Sequence, residues 1–275
     1  MKQSTGLSTG FPHSRALAVA NQKGGVGKTT TAISVAAALA VLEKRVLLID
    51  FDPQGNTTGG LGVDKGSLGS TVYEWMLGEA SFEATARATD LKLLTLIPAS
   101  RDLVGAEVEL VSAERREFRL SEQLEKVRDQ FEYILIDCPP SLGFLTLNAL
   151  TAVEAVLIPI QCEYFALEGV SELLATIERV RGTLNPGLEI EGVVPTMWDD
   201  RTNLSRQVLE DIRRHFGDRV YRNVVPRNVR LGEAPSFGKP ILLYDVKSKG
   251  AEAYLGIARE LIERDAARHL VPEAV

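Results

Sequence analysis

The most constraining feature of this chain is a glycine-rich segment near its start, residues 20–30, which reads ANQKGGVGKTT. It follows an apolar run at 16–20 and precedes a long helical pattern that begins near Thr30. A glycine-rich loop between a strand and the N-terminus of a helix holds phosphate groups, because its backbone N–H groups point at the phosphate oxygens. The segment therefore predicts a phosphate-binding site where a strand ends.

The loop departs from the standard P-loop pattern, G-x-x-x-x-G-K-[ST], at one end. Residues 27–29 supply the last three positions, but Gln22 stands where the first glycine is expected, and a second lysine follows it. We expect Lys28 to contact the β- and γ-phosphates of a nucleotide and the Thr29 hydroxyl to ligate Mg²⁺. The predicted nucleotide-binding residues of the loop are Lys23, Gly24, Gly25, Val26, Gly27, Lys28, Thr29 and Thr30.

The second lysine, Lys23, stands too early in the loop to do the work of Lys28. A lysine at this position can point across a dimer interface at the nucleotide of the partner subunit. We therefore place both lysines among the predicted catalytic residues, with different tasks.

Apolar runs alternate with helical patterns along the 275 residues. Several runs are nearly continuous in Val, Ile and Leu, which is typical of strands buried on both faces of a mostly parallel sheet. We predict a single-domain, doubly wound α/β fold of the P-loop NTPase type, with helices on both faces and ligands at the carboxyl ends of the strands. The predicted strands are 16–20, 45–49, 91–97, 133–136, 155–160, 188–194 and 220–225. The predicted helices are 29–43, 72–77, 106–130, 144–152, 167–183, 203–216 and 251–264.

Boundaries and location follow from composition. We predict a flexible N-terminal arm at 1–15, a nucleotide-binding domain at 16–265 and a C-terminal tail at 266–275. No apolar run reaches the roughly 18 residues of a membrane-spanning helix. Two cysteines, Cys138 and Cys162, form no disulfide framework and fit a reducing cytoplasm.

Aspartates stand at the ends of two predicted strands. Asp137 follows the run at 133–136 in the Walker B arrangement, in which it would hold Mg²⁺ through water. Asp50 and Asp52 follow the run at 45–49, and we expect only one of them, Asp52, to reach the site and position the attacking water. Asp50 is expected to support the metal from outside or to order the loop. The predicted metal-site residues are Thr29, Asp52 and Asp137.

Residues 226–228 (PRN) follow the last predicted strand. A rigid loop with backbone and amide groups can read the edge of an adenine, and an ordinary strand-to-helix loop is an equally good interpretation.

Three groups of residues together resemble the deviant Walker A ATPases: 23–29 (KGGVGKT), 50–56 (DFDPQGN) and 137–141 (DCPPS). The chain is similar, more narrowly, to the ParA/Soj chromosome-partitioning ATPases. The further matching stretches are 161–169 (QCEYFALEG), 200–205 (DRTNLS) and 226–235 (PRNVRLGEAP). The resemblance covers about residues 15–265. The departures, Cys138, Trp198 and Gly232, touch no phosphate or metal position.

The resemblance implies a cycle. ATP with Mg²⁺ binds and produces a sandwich homodimer, in which Lys23 reaches the phosphates of the other subunit. The dimer binds double-stranded DNA without sequence preference until a ParB-type centromere-binding protein stimulates an otherwise slow hydrolysis. The resemblance also implies Asp52 as the hydrolysis residue, Pro226, Arg227 and Asn228 near the adenine, and a bacterial-type, nucleoid-associated location without membrane binding.

Arginines are concentrated between 201 and 230, where eight of them accompany three acids, although the chain carries a net charge of −6. Arginine binds phosphate oxygens and gives sequence-independent, salt-sensitive affinity for DNA. The resemblance points to Arg201 and Arg230 as the DNA-binding residues. A solvated basic face, or arginines paired with acids elsewhere, remains the alternative.

Other functions fit less well. A MinD-like membrane-cycling ATPase would need an amphipathic basic helix at the C-terminus, and 266–275 has no repeating apolar face. A cluster-handling ATPase would use Cys138 and Cys162, which are better explained as buried thiols beside strands. Asp52 argues against a nucleotide-gated scaffold with negligible turnover.

Overall fold

The computed structural model describes residues 14–164 and 166–270. Its centre is a seven-stranded sheet formed by β1 (Arg15–Val19), β2 (Val46–Asp50), β3 (Arg87–Ala88), β4 (Leu94–Ile97), β5 (Tyr133–Asp137), β6 (Ala155–Gln161) and β7 (Glu189–Thr196). The strands lie in the order β3-β4-β2-β5-β1-β6-β7. Every neighbouring pair is parallel except β3 with β4.

The α-helices of the described residues are α1 (Lys28–Val41), α2 (Asn56–Gly60), α3 (Val72–Leu77), α4 (Phe82–Thr85), α5 (Gly105–Glu109), α6 (Arg119–Leu124), α7 (Phe144–Ala152), α8 (Glu168–Thr183), α9 (Asn203–Phe216), α10 (Val229–Glu233), α11 (Ile241–Tyr244) and α12 (Lys249–Leu270). Short 3₁₀ turns lie at Lys65–Ser67, Arg101–Val104, Arg116–Phe118, Arg128–Gln130, Gly217–Arg219 and Ala234–Phe237.

Alternation along the strands builds one hydrophobic core on each face of the sheet. In β1, Ala16 and Ala18 belong to the core beneath α6, α7 and α8, whereas Leu17 and Val19 belong to the core beneath α1 and α12. Successive strand residues point to opposite faces, so both faces of an inner strand must be apolar. The predicted doubly wound, mostly parallel sheet with helices on both faces is confirmed.

The single helix predicted over 106–130 is wrong. α5 ends at Glu109, and α6 begins only at Arg119. Between them Arg115 adopts a left-handed backbone with φ of 54°, which interrupts a right-handed helix. Residues 111–119 contribute no fully buried side chain, so no apolar stripe holds this stretch against the sheet.

The strand predicted over 220–225 is also absent. Isolated bridges at Val193–Val220 and Trp198–Pro226 join this segment to the edge of the sheet, and the backbone N–H groups of Tyr221 and Val225 donate to carbonyls of β7. The backbone N–H of Arg222 donates instead to the Glu260 carboxylate of α12, at 3.0 and 3.1 Å. The middle of the segment is therefore bound to α12, and no continuous ladder with β7 forms.

At the C-terminal end, α12 runs from 249 to 270, past the predicted end of the domain at 265. The predicted tail therefore begins inside this helix. Most of the predicted arm, 1–13, and the last residues, 271–275, lie outside the described part of the chain.

Candidate active site

The glycine-rich loop lies between β1 and α1, at the carboxyl edge of the sheet. Gly25 and Gly27 adopt left-handed backbones, with φ of 75° and 91°, which side chains strongly disfavour. Gly27 caps the N-terminus of α1, whose first N–H groups face the loop. This arrangement provides the N–H donors and the positive end of the helix dipole that phosphate binding requires.

The loop is held in place by side chains that the sequence analysis did not single out. The Thr196 hydroxyl, at the end of β7, donates to the Val26 carbonyl at 2.8 Å. Asn21 donates to the Pro159 carbonyl at 2.8 Å and accepts from the Lys23 N–H at 3.0 Å. The Thr196 bond spans 170 residues of sequence, so no local signal could have revealed it.

Lys28 is buried at the first position of α1. Its Nζ donates to the Lys23 carbonyl at 3.2 Å, and this bond links the two ends of the glycine-rich loop. Burial lowers the pKa of Lys28, while the charges of Asp137 and Asp52 act in the opposite direction. The Lys28 ammonium is held by the loop and stabilised by nearby carboxylates, so it can form charge-assisted hydrogen bonds with phosphate oxygens.

Lys23 is only partly buried, and its side chain follows a different path. The Cβ, Cγ and Cδ atoms of Lys23 pack over Gly169, near the start of α8, where an added Cβ would approach the Lys23 Cβ to 3.3 Å. The two lysines of the loop are thus separated: Lys28 is buried at the start of α1, and Lys23 packs against the start of α8.

Asp137 ends β5 and is fully buried. Its Oδ2 accepts from the Thr57 hydroxyl at 2.7 Å, whereas its Oδ1 has no hydrogen-bond partner. Burial and the nearby charge of Asp50 raise its pKa to about 7, against the effect of the Thr57 and Thr29 side chains. A buried, unpartnered carboxylate oxygen close to Thr29 fits the oxygen ligands that Mg²⁺ prefers.

Asp50 and Asp52 both lie near enough to Asp137 for their charges to raise its pKa. Asp50 is the register partner of Asp137 across β2 and β5. Its Oδ2 accepts from the Thr58 hydroxyl at 2.6 Å and the Thr58 N–H at 2.7 Å, and burial raises its pKa to about 6. Asp50 therefore anchors the segment that follows β2. The strand ends at Asp50, and the carboxylate of Asp52 lies in the turn beyond it, where it accepts from the Gln54 N–H at 2.9 Å.

A cavity of about 360 Å³ lies directly beside the P-loop. It is lined from the loop side by Gly27 and Thr30 and from the opposite side by residues 226–228. Tyr254 completes the wall, and its hydroxyl is 3.1 Å from that of Thr31. The structure thus brings the predicted adenine loop to the predicted phosphate loop.

The adenine loop is tied to the end of β7. The backbone N–H of Trp198 donates to the Val225 carbonyl at 3.1 Å, and the Trp198 backbone carbonyl accepts from the Arg227 N–H at 2.9 Å. Asn228 also has a structural task, because its Oδ1 accepts from the Arg230 N–H at 2.8 Å and so caps α10.

The arginines of 201–230 do not form one patch. Arg201 precedes α9, whereas Arg213 lies in its last turn and Arg219 just beyond it, at the other end of a helix about 21 Å long. Several are paired with acids from outside the segment: Arg222 with Glu263, Arg227 with Glu163 and Arg230 with Glu233. The local charge excess read from the sequence is therefore smaller in three dimensions.

The two arginines singled out for DNA binding are nonetheless accessible. The side chain of Arg201 is 82% exposed and makes a bidentate pair with Asp199, at 2.8 and 2.7 Å. The side chain of Arg230 is 54% exposed and lies 2.8 Å from Glu233. Exposed pairs of this kind contribute little net stability, so phosphates can replace their carboxylates.

A larger cavity, of about 1220 Å³, lies at the other end of β7. Residues 188–191 line it together with the C-terminal part of α12. It is remote from the P-loop, and ligands of open α/β sheets bind at the carboxyl ends of the strands. We therefore assign the nucleotide to the smaller cavity.

The described residues offer little support for a metal-cluster site or a membrane-spanning helix. Cys138 and Cys162 are buried free thiols whose pKa values burial raises. Among residues 14–164 and 166–270, no three His, Cys, Asp or Glu side chains are grouped to hold a metal ion. Mg²⁺ in phosphate-transfer sites needs only one or two carboxylates besides phosphates and water.

None of the described helices has the length and apolar character to cross a membrane.

Comparisons with known proteins agree with this geometry. The model of a family described as an AAA domain matches residues 14–190. The chain is 58% identical over 253 residues to the chromosome partitioning protein ParA of Caulobacter vibrioides, covering 91% of this chain and 95% of the relative. It is 55% identical over 245 residues to the sporulation initiation inhibitor protein Soj of Bacillus subtilis, covering 89% and 97%.

Solved structures share the fold over nearly the whole chain. Cobyrinic acid a,c-diamide synthase from Mycobacterium smegmatis, with bound ADP and magnesium, has a TM-score of 0.82 at 43% identity and covers 93% of this chain and 96% of its own. MinD from Pyrococcus horikoshii, complexed with Mg-ADP, has a TM-score of 0.75 with 94% and 100% covered, but its 22% identity shows the fold alone. On sequence, site geometry and fold together, the chain belongs to the ParA/Soj family of chromosome-partitioning ATPases.

Proposed function

We propose that this protein is an ATP-driven DNA-partitioning ATPase. ATP and Mg²⁺ bind at the P-loop, and the loaded protein forms a sandwich homodimer that binds double-stranded DNA without sequence preference. A ParB-type partner stimulates a slow hydrolysis, after which the ADP-bound protein releases DNA. The observation that carries the proposal is the convergence of Lys28, Thr29 and Asp137 beside the cavity at 226–228.

Each group at the site has a task in this proposal. The N–H groups of residues 24–29 and the Lys28 ammonium hold the phosphates, while the wall at 226–228 receives the adenine. Thr29 and Asp137 would hold Mg²⁺, which would supply positive charge to the phosphates. Asp52, in the turn after β2, orients the attacking water.

Lys23 provides the test of the switch. Lys23→Gln should leave the affinity of the monomer for ATP within a few-fold of wild type, because Lys28 still serves that nucleotide. ATP-dependent dimerisation and DNA binding should be lost, because no cation reaches the phosphates of the partner subunit. Light scattering and gel shift with ATP, with ADP and without nucleotide measure both effects.

Lys92→Gln is the matched control, since it removes the same charge from an exposed position before β4. DNA binding by the wild type that ignores the nucleotide, or DNA binding untouched by Lys23→Gln, would contradict the switch.

Arg230→Glu should weaken ATP-dependent DNA binding about tenfold or more, and Arg201→Glu should act in the same direction. Each change removes a cation that is accessible to phosphate, and the slope of log affinity against log salt should fall by about 1 per lost contact. Gel shifts over a salt series measure both quantities.

Arg214→Glu reverses the same charge at an exposed residue near the far end of α9, where Arg214 pairs with Asp211 at 2.9 Å. This control should bind DNA more tightly than Arg230→Glu. If both target variants bind like wild type, the proposed DNA surface is wrong even though the ATPase assignment stands.

A further inference from the structure

Thr57 lies in the short helix α2, which follows the turn that carries Asp52. Both Thr57 and Asp137 are completely buried, and the Thr57 hydroxyl donates to Asp137 Oδ2 at 2.7 Å. The adjacent Thr58 donates its hydroxyl to Asp50 at 2.6 Å. Two neighbouring threonines thus hold two neighbouring carboxylates, one each.

The Thr57 bond makes the two oxygens of Asp137 unequal. Oδ2 accepts from the Thr57 hydroxyl, whereas Oδ1 is buried without a hydrogen-bond partner. The side chain of Thr29 lies near the same carboxylate. A carboxylate held through one oxygen cannot rotate freely, so the other oxygen keeps a defined direction. That free oxygen is the one left for a cation.

The helix that carries Thr57 is itself fixed from several sides. Gly55, its N-cap, has φ of 62°, and an added Cβ there would approach the Ala99 carbonyl to 3.2 Å. The Thr58 hydroxyl accepts from the Ala99 N–H at 3.0 Å, which ties α2 to the segment after β4. The backbone that carries Thr57 is therefore held in place, and this fixes the position of its hydroxyl beside Asp137.

We propose that Thr57 is a positioning residue for Mg²⁺, acting through Asp137: it occupies Oδ2 and so directs Oδ1 toward the metal held with Thr29. The inference rests on the proposed Mg²⁺ and nucleotide site. Groups that orient metal ligands typically change metal affinity 10–100-fold when they are removed.

The test measures binding rather than turnover. ADP affinity is determined by titration calorimetry over a series of Mg²⁺ concentrations for the wild type, Thr57→Ala, Thr57→Val and Thr57→Ser. In the Ala and Val variants the half-saturating Mg²⁺ concentration should rise about 10–100-fold, while ADP affinity without Mg²⁺ stays near wild type. Thr57→Ser keeps the hydroxyl and should restore the wild-type concentration within a few-fold.

Thr176→Ala is the matched control, because it removes a buried hydroxyl that donates to the Glu172 carbonyl within α8, away from the P-loop. It should lower the melting temperature without changing the Mg²⁺ dependence. A lower melting temperature with unchanged Mg²⁺ dependence in both Thr57→Ala and Thr57→Val would overturn the inference and leave Thr57 a purely structural role. A wild type that binds ADP without any Mg²⁺ dependence would overturn the proposed metal site as well.

Discussion

Lys28→Ala is expected to lower the affinity for ATP about 100-fold and to stop hydrolysis at ordinary ATP concentrations. Hydrogen bonds to charged groups contribute about 1.5–3 kcal/mol each, and losing about 3 kcal/mol corresponds to roughly a 100-fold loss. Lys28 is already buried and oriented by the Lys23 carbonyl, so little ordering cost offsets its contacts with phosphate. Titration calorimetry with ATP and Mg²⁺ measures the affinity.

Comparison with Lys23→Gln shows whether the loss of ATP affinity is specific to Lys28. Both variants remove one ammonium from the same loop, but only Lys28 lies beneath it within reach of the Asp137 charge. Thermal unfolding without nucleotide must show that Lys28→Ala still folds. Equal ATP affinities for Lys28→Ala and wild type would show that the P-loop does not hold the nucleotide as proposed.

Asp52→Ala is expected to reduce the hydrolysis rate about 10²–10⁴-fold, the usual contribution of a group that orients or deprotonates an attacking water. ATP affinity should remain within a few-fold, because Asp52 lies in the turn after β2 rather than in the phosphate loop. ATP-dependent dimerisation should persist and last longer than in wild type. Single-turnover hydrolysis and light scattering measure the two effects.

Asp90→Ala removes a carboxylate from an exposed position before β4 and should hydrolyse ATP like wild type. Asp50→Ala should fail differently, through a lower melting temperature, because Asp50 anchors Thr58 and the N–H of Asp52. Hydrolysis by Asp52→Ala at the wild-type rate would move the catalytic role to another residue.

Several parts of the fold could be predicted because their signals are local. Residues 72–77, 144–152 and 203–216 carry complete helical patterns, and the structure has these three helices at the same bounds. The prediction over 106–130 was wrong because charged residues with good helix propensity were not supported by tertiary packing. The prediction over 220–225 was wrong because the segment meets β7 through isolated bridges rather than a continuous ladder, while Glu260 of α12 binds the Arg222 N–H between them.

The residues of the candidate site also fall into those that local sequence predicts and those that it does not. Lys28, Thr29 and Asp137 could be predicted from motif and strand pattern. Thr57, Thr196 and Tyr254 could not, because their partners lie far away in sequence and no spacing rule links them. The adenine-binding role of residues 226–228 stays a prediction, although they line the same cavity as Gly27.

The sequence by itself determined that this chain holds a phosphate loop between a strand and a helix. That information is contiguous: glycines occupy the two left-handed positions, 25 and 27, and the lysine and threonine follow at the start of α1. Only the tertiary structure decided how three aspartates share one edge of the sheet and which arginines lie at which end of α9. These properties depend on distances between residues far apart in sequence, and parallel strands set those distances by bringing their carboxyl ends together.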